Sequence, residues 1–296
     1  MESFNKCRDR RPVKTYDIAR WVDKEDDPRP RKFREAVHII LAAIATSQNL
    51  NSKMILKGGQ LLAIRYASSR FTRDIDFSTS SKVSGFNLET FLREFEQSLV
   101  VACENLPYDL DCRVQSYEFK PPNPEATFPT LVVRVGYADK SDVKSHRRLV
   151  AKNSSDVVKI DYSFNEKIQK TDPIRLSDGG KVLVYSFSDL VAEKYRAILQ
   201  QEVRNRSRRQ DVYDLHYLIG RVQEIGQGEK QQILNSLRIK SQSRNLEVNK
   251  DSISNKAIIA RSRRDYPGVG QEIEGELPDF DEAYGEIRKF YESLPW

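Results

Sequence analysis

From Lys32 to about Gln48 the apolar residues Phe33, Ala36, Ile39, Ile40, Ala43 and Ile44 recur every three or four positions, which predicts a helix with one buried stripe. Leu88, Phe91, Leu92, Phe95 and Leu99 repeat that spacing and predict a second helix over Leu88–Cys103. Between them, Asn49-Leu-Asn-Ser52 reads as a turn and Met54–Lys57 as a strand. A Gly58-Gly59 pair follows, then a helical stretch from Gln60 to Ala67 and a strand Asp74-Ile-Asp-Phe77. Leu110–Phe119, Thr130–Tyr137 and Val157–Tyr162 read as further strands, the first two joined through Pro121-Pro122-Asn123-Pro124. The basic run Lys144-Ser-His-Arg-Arg148 reads either as a solvated loop or as a phosphate contact. After a short strand at Val182–Tyr185 the pattern turns helical. Asp189–Leu199 follows a Ser188 cap, and Arg209–Gly220, Lys230–Ile239 and Asp281–Leu294 complete the set. The expectation is an α/β (α+β) half followed by a mainly helical lobe. The divisions are a loosely structured extension (1–31), a core (32–177), a helical lobe (178–270) and an acidic segment with a terminal helix (271–296).

Composition narrows the class. The chain has 296 residues, 39% hydrophobic and 31% charged, with a mean hydropathy of -0.63, which suits a soluble protein with a real core. No apolar run approaches the roughly 20 residues that span a bilayer, and no apolar signal region follows the first charges. A cytoplasmic protein without membrane contact is the expectation. Net charge of +6 hides an asymmetry: residues 271–296 hold eight acids and two bases, leaving +12 on the rest (47 Lys and Arg against 35 Asp and Glu). Such a surplus attracts phosphate-rich partners, RNA among them. Cys7, Cys103 and Cys112 form no ligand pair and read as free thiols, and His38, His146 and His216 lack zinc spacing. Any metal chemistry is therefore carboxylate-based and suited to Mg²⁺ or Mn²⁺.

The candidate chemistry starts at Lys57-Gly58-Gly59 and Asp74-Ile75-Asp76. Carboxylates at i and i+2 leave one face of a strand and can hold a divalent cation between them. Two glycines let the backbone approach a ligand and grip phosphate oxygens through free N–H groups. The plainer alternative is a turn followed by a solvated acidic strand end. Asp161, near the end of Val-Val-Lys-Ile-Asp-Tyr, is a third carboxylate if its strand shares the sheet, and Lys159 shares its face to bind phosphate or form an ion pair. Lys194 lies on an otherwise apolar helical face, either snorkelling to solvent or reaching phosphate. Asp211 and Asp214 fall at i and i+3 of one helix, where they pair with nearby arginines or orient Lys194 or a base.

Taken together, Lys57-Gly-Gly-Gln-Leu-Leu, Thr72-Arg-Asp-Ile-Asp-Phe77, Ala192-Glu-Lys194 and Arg209-Gln-Asp-Val-Tyr-Asp-Leu215 resemble the AbiEii/AbiGii toxin family of nucleotidyltransferases over roughly residues 35–220. The resemblance implies a DNA polymerase beta-like nucleotidyltransferase core with a mixed sheet and a helical C-terminal lobe. It implies Lys57, Gly58 and Gly59 as the nucleotide-binding loop and Asp74, Asp76 and Asp161 as metal ligands. Lys159, Asp211 and Asp214 would contact nucleotide, and Lys194 would be the lysine of the third motif. It further implies an NTP substrate, an RNA acceptor such as a tRNA 3′ end, a cognate antitoxin, and a role in toxin–antitoxin or phage-defence systems. Gly-Gly stands where the wider superfamily usually has Gly-Ser, which removes one hydroxyl contact and keeps the backbone donors. Two rival expectations remain: protein nucleotidylation (AMPylation-like) by the same centre, and a non-catalytic nucleotide- or RNA-binding protein.

Overall fold

The computed structural model describes residues 15–296 apart from 124, 178 and 223. Cys7 and the expected lobe boundary at Asp178 lie outside the described residues. In chain order the elements are β1 (Thr15–Tyr16), α1 (Ile18–Asp23), α2 (Pro28–Thr46), α3 (Gln48–Lys53), β2 (Ile55–Lys57), α4 (Gly58–Tyr66), β3 (Asp74–Ser78), α5 (Leu88–Asn105), β4 (Leu110–Lys120) and β5 (Thr130–Asp139). Then come α6 (Val143–Val150), β6 (Val157–Ser163), β7 (Thr171–Leu176), β8 (Lys181–Tyr185), α7 (Phe187–Leu199), α8 (Arg209–Arg221), α9 (Gln227–Gln242), α10 (Lys256–Arg264) and α11 (Phe280–Glu292).

The strands form one mixed sheet in the order β1-β7-β8-β2-β3-β6-β5-β4. Its centre is set by alternation. Ile75 and Phe77 of β3 and Val158, Ile160 and Tyr162 of β6 are buried, on the face that α2 and α5 cover. Each such side chain contributes about 1.5–3 kcal/mol on leaving water. Side chains alternate along a strand, so Asp74, Asp76, Lys159 and Asp161 emerge on the opposite face. A one-residue slip would bury the acids and expose the core, which locks the register. β3 and β6 run parallel with Asp76 level with Asp161 and Asp74 level with Lys159. β2 runs antiparallel to β3, with Lys57 level with Asp76.

Helical packing closes the other side of that face. α7 starts behind Ser186, whose hydroxyl accepts from the Asp189 N–H at 3.2 Å; Ser186 rather than the expected Ser188 is its cap. Asp189 is fully buried. It accepts from the Gln169 N–H at 2.8 Å and from the Ser236 hydroxyl, tying α7 to the strand connection and to α9. The Tyr195 hydroxyl donates to the Ile287 carbonyl at 2.7 Å and binds α11 to α7. The halves therefore read in the sequence are both present, an α/β sheet domain and a mainly helical C-terminal region.

Several local expectations differ from the structure. Residues 15–31 are not loose: they contain β1, α1 and the start of α2, where Asp27 caps and Pro28 fits the first turn. The expected turn at 49–52 lies inside α3, capped by Ser47. The basic run at 144–148 is helical, in α6, because Asp142 accepts from the Lys144 and Ser145 N–H groups at 3.1 Å each. β7 carries Pro173 and only Ile174 and Leu176 as core residues, too weak an alternation to predict. β8 begins past residue 177 yet pairs with β2 and β7 in the core sheet. Cys103 and Cys112 are free thiols, both buried.

Candidate active site

The strand face brings three carboxylates and one ammonium together. Lys159 Nζ donates to Asp74 Oδ2 at 3.0 Å and to Asp161 Oδ2 at 2.8 Å. Burial works against the charge on Lys159, but those two hydrogen bonds outweigh it and raise its pKa. Asp161 Oδ1 is buried and has no partner. Loss of hydration pushes the Asp76 carboxyl up to about 6; Lys57 pulls the other way, and the neighbouring Asp161 and Asp74 add to the rise. The face thus holds more negative charge than its own groups neutralise.

Above it stands the glycine turn. α4 begins directly at Gly58, and its cap position, Lys57, supplies no side-chain acceptor. The first N–H groups of the helix are therefore left for an anion. Gly58 has φ +70°, and a Cβ there would lie 2.0 Å from Asp76 Oδ2. Only glycine allows this turn to sit against the carboxylate. A Cβ at Gly59 would meet Thr72 at 2.9 Å and an Arg70 nitrogen at 3.0 Å.

The helical wall is a closed ion network. Lys194 Nζ donates to Asp214 Oδ2 at 2.6 Å and Asp211 Oδ1 at 3.1 Å. Arg70 grips Asp214 through both oxygens at 2.8 Å each. Burial opposes the charge on Lys194, yet Asp214 and Asp211 hold its pKa above the ordinary lysine value. Burial likewise opposes ionisation of Asp214, and Lys194 and Arg70 overcome it, so its pKa is lowered. The alternative of a lysine snorkelling to solvent does not hold: Lys194 is 6% exposed. Asp211 and Asp214 orient it.

Both walls line one cavity of about 450 Å³, and every residue singled out in the sequence borders it: Lys57, Gly58, Gly59, Asp74, Asp76, Lys159, Asp161, Lys194, Asp211 and Asp214. It also exposes residues that local pattern did not select, among them Arg70, Thr72, Glu166, Glu193, Arg196 and Arg244. Arg70 lies four residues before Asp74, and that proximity was the one available signal. Arg244 reaches the site from the end of α9 and pairs with Glu166 at 2.8 Å; no local spacing announces it. Arg204, Arg206 and Arg208 complete a positive end of the cavity. Partial burial and then the neighbouring Arg244, Arg196, Arg206 and Arg208 lower the pKa of Arg204, the mark of cations crowded without enough anions.

Among the described residues no group of three His, Cys, Asp or Glu side chains is already arranged to hold a metal ion. The donor chemistry nevertheless fits a hard divalent cation. All three candidates are carboxylates, Asp161 Oδ1 lacks a partner, and Asp76 is destabilised as an anion. Lys159 supplies the positive charge between Asp74 and Asp161.

The site is thus a mixed sheet with acids on adjacent strands, facing a glycine turn at a helix start. The profile of the family described as "Nucleotidyl transferase AbiEii toxin, Type IV TA system" matches residues 39–286. The chain belongs to that family, whose function is nucleotidyl transfer within toxin–antitoxin systems. Among solved structures, it is similar in fold to an H. pylori protein put forward as a nucleotidyltransferase. The TM-score is 0.51 at 16% identity, over 90% of this chain and 95% of that one. JHP933 from Helicobacter pylori aligns with a TM-score of 0.45 at 14% identity, over 90% of this chain and 92% of that one. No curated protein matches.

Proposed function

We propose that this protein transfers a nucleoside monophosphate from an NTP to an acceptor hydroxyl, with a tRNA 3′ end as acceptor, as the cytoplasmic toxin partner of a cognate antitoxin. The observation that carries the reading is the meeting of Asp74, Asp76 and Asp161 with the Gly58-Gly59 turn and Lys194 around one cavity. Asp74, Asp76 and Asp161 would hold Mg²⁺ or Mn²⁺, which when bound neutralises phosphate charge and polarises the reacting oxygens. The free N–H groups at the start of α4 bind triphosphate oxygens. Lys194, kept charged by Asp211 and Asp214, faces the same phosphates.

In the reaction the acceptor oxygen forms a bond to the α-phosphorus as the bond from that phosphorus to the β-bridging oxygen breaks, and pyrophosphate leaves. The acceptor proton leaves to solvent as the new bond forms. Catalysis is then a matter of positioning and charge compensation. The positive end formed by Arg204, Arg206, Arg208 and Arg244 supports a phosphate-rich acceptor.

The test is to incubate the protein with each labelled NTP, divalent metal, and either total tRNA or a protein lysate. Label in RNase-sensitive material is the expected result. Label that survives RNase and is lost to protease would assign a protein acceptor instead. Asp74→Asn and Asp76→Asn should both abolish labelling; full activity in both would remove the metal assignment.

A further inference from the structure

The acidic C-terminal stretch folds back onto the sheet domain at one place. The Phe71 N–H donates to the Glu272 carbonyl at 2.6 Å, and the Ser69 hydroxyl to the Glu274 carbonyl at 3.2 Å. The Glu272 carboxylate accepts from Arg209 at 2.9 Å and from Gln210 at 2.9 and 3.2 Å, and lies 3.6 Å from Arg70 Nη1. A segment some 200 residues downstream is therefore clipped to the loop that leads into β3.

That loop has a particular place. Arg70 and Thr72 are the wall between the candidate active site and a second cavity of about 750 Å³, and Glu272 lines only the second. On the active-site side Arg70 packs against Gly59 and holds Asp214 through both carboxylate oxygens. Asp214 in turn takes the Lys194 ammonium at 2.6 Å. A bidentate pair fixes the plane of a carboxylate, and so the direction in which Asp214 presents its oxygen to Lys194. Glu272 acts on the far side of the same guanidinium. Its charge keeps Arg70 turned to the wall, and the carbonyl bond to Phe71 keeps the backbone beneath it in place.

We propose that Glu272 is a positioning residue for nucleotidyl transfer, acting through Arg70 and Asp214 on Lys194 and on the glycine turn. This rests on the functional reading above. Glu272 touches neither nucleotide nor acceptor; it sets the geometry from outside the cavity. The site is thereby completed by the C-terminal segment.

The experiment compares Glu272→Gln with Glu274→Gln in the full chain. Both remove one negative charge, but the Glu274 side chain is exposed and only its carbonyl is engaged. Glu272→Gln is expected to lower kcat about tenfold with KM for the NTP changed less than about twofold, since misplacement costs the chemical step more than binding. Backbone amides across Phe71–Asp76 should exchange with deuterium faster, and Glu274→Gln should change neither. An unchanged kcat per folded molecule, even with a lower Tm, would make Glu272 merely structural and overturn the proposal. So would equal effects in the two variants. If the wild-type chain labels no acceptor with any NTP, the functional reading fails. The exchange arm then still decides the clip: faster exchange supports it, and unchanged exchange ends it.

Discussion

The strand side of the cavity leaves charge unmatched, whereas the helical side pairs its carboxylates closely. Asp74 and Asp161 share the ammonium of Lys159, one oxygen of Asp161 is orphaned, and Asp76 is pushed up to about 6 despite the nearby Lys57. Across the cavity, Asp214 accepts from both Lys194 and Arg70, and Asp211 shares the lysine. The first region stores an electrostatic demand that a ligand can meet; the second spends its charges on fixing one another. A site that must admit a cation and a triphosphate needs both, an acceptor kept hungry and a donor kept still.

The contrast breaks first at the strand acids. Asp74→Asn and Asp76→Asn should each lower NTP-dependent labelling by about 10²–10³-fold or more while the circular dichroism spectrum stays unchanged. Equal loss of fold and activity would mean the strand acids are structural. Next in size is Asp214→Ala, which strands Arg70 and Lys194 without their common anion. Breaking such a buried pair costs about 3–5 kcal/mol, read as a lowered denaturant midpoint. A loss below about 1 kcal/mol would show that the helical side is less saturated than its geometry implies.

Gly58→Ala is a smaller effect with two origins. The backbone there is left-handed, and the new methyl would press on Asp76 Oδ2. Strain of this kind costs about 1–3 kcal/mol, and activity should fall with it. Wild-type stability and labelling would show that the turn has room to move. The smallest prediction concerns pH. A carboxyl raised in the fold costs stability above its folded pKa, and that cost disappears as pH falls through about 6 towards its unfolded value. Asp76→Asn should therefore raise Tm by a few degrees at pH 7 in chelator, with the gain vanishing near pH 4. A gain that persisted in acid would point away from Asp76 as its source.

Much of the site was legible because its residues sit at short, regular spacings. Asp74-x-Asp76 and Lys159-x-Asp161 state their shared face through strand periodicity, and Gly58-Gly59 announces a backbone turn. Arg244 and Glu272 were not legible, because a side chain that arrives from a distant element leaves no local spacing. The same holds for β7 and α6. Pro173 and the scarcity of apolar residues hid the first, while the cap from Asp142 makes a helix of a run that reads as solvated. Arg70 lay in plain sight, but nothing near it in the chain says which carboxylate it grips.

By itself the sequence determined the alternation of β3 and β6, the amphipathic helices, the glycine turn and the identity of the charged groups, all properties of neighbours within a turn or a pleat. Tertiary structure alone decided that Asp161 stands level with Asp76, that Lys194 shares Asp214 with Arg70, and that residue 272 closes the wall behind them. Hydrogen-bond register and buried charge pairing join residues tens to hundreds of positions apart, and their energies depend on distance in space, which chain order does not encode.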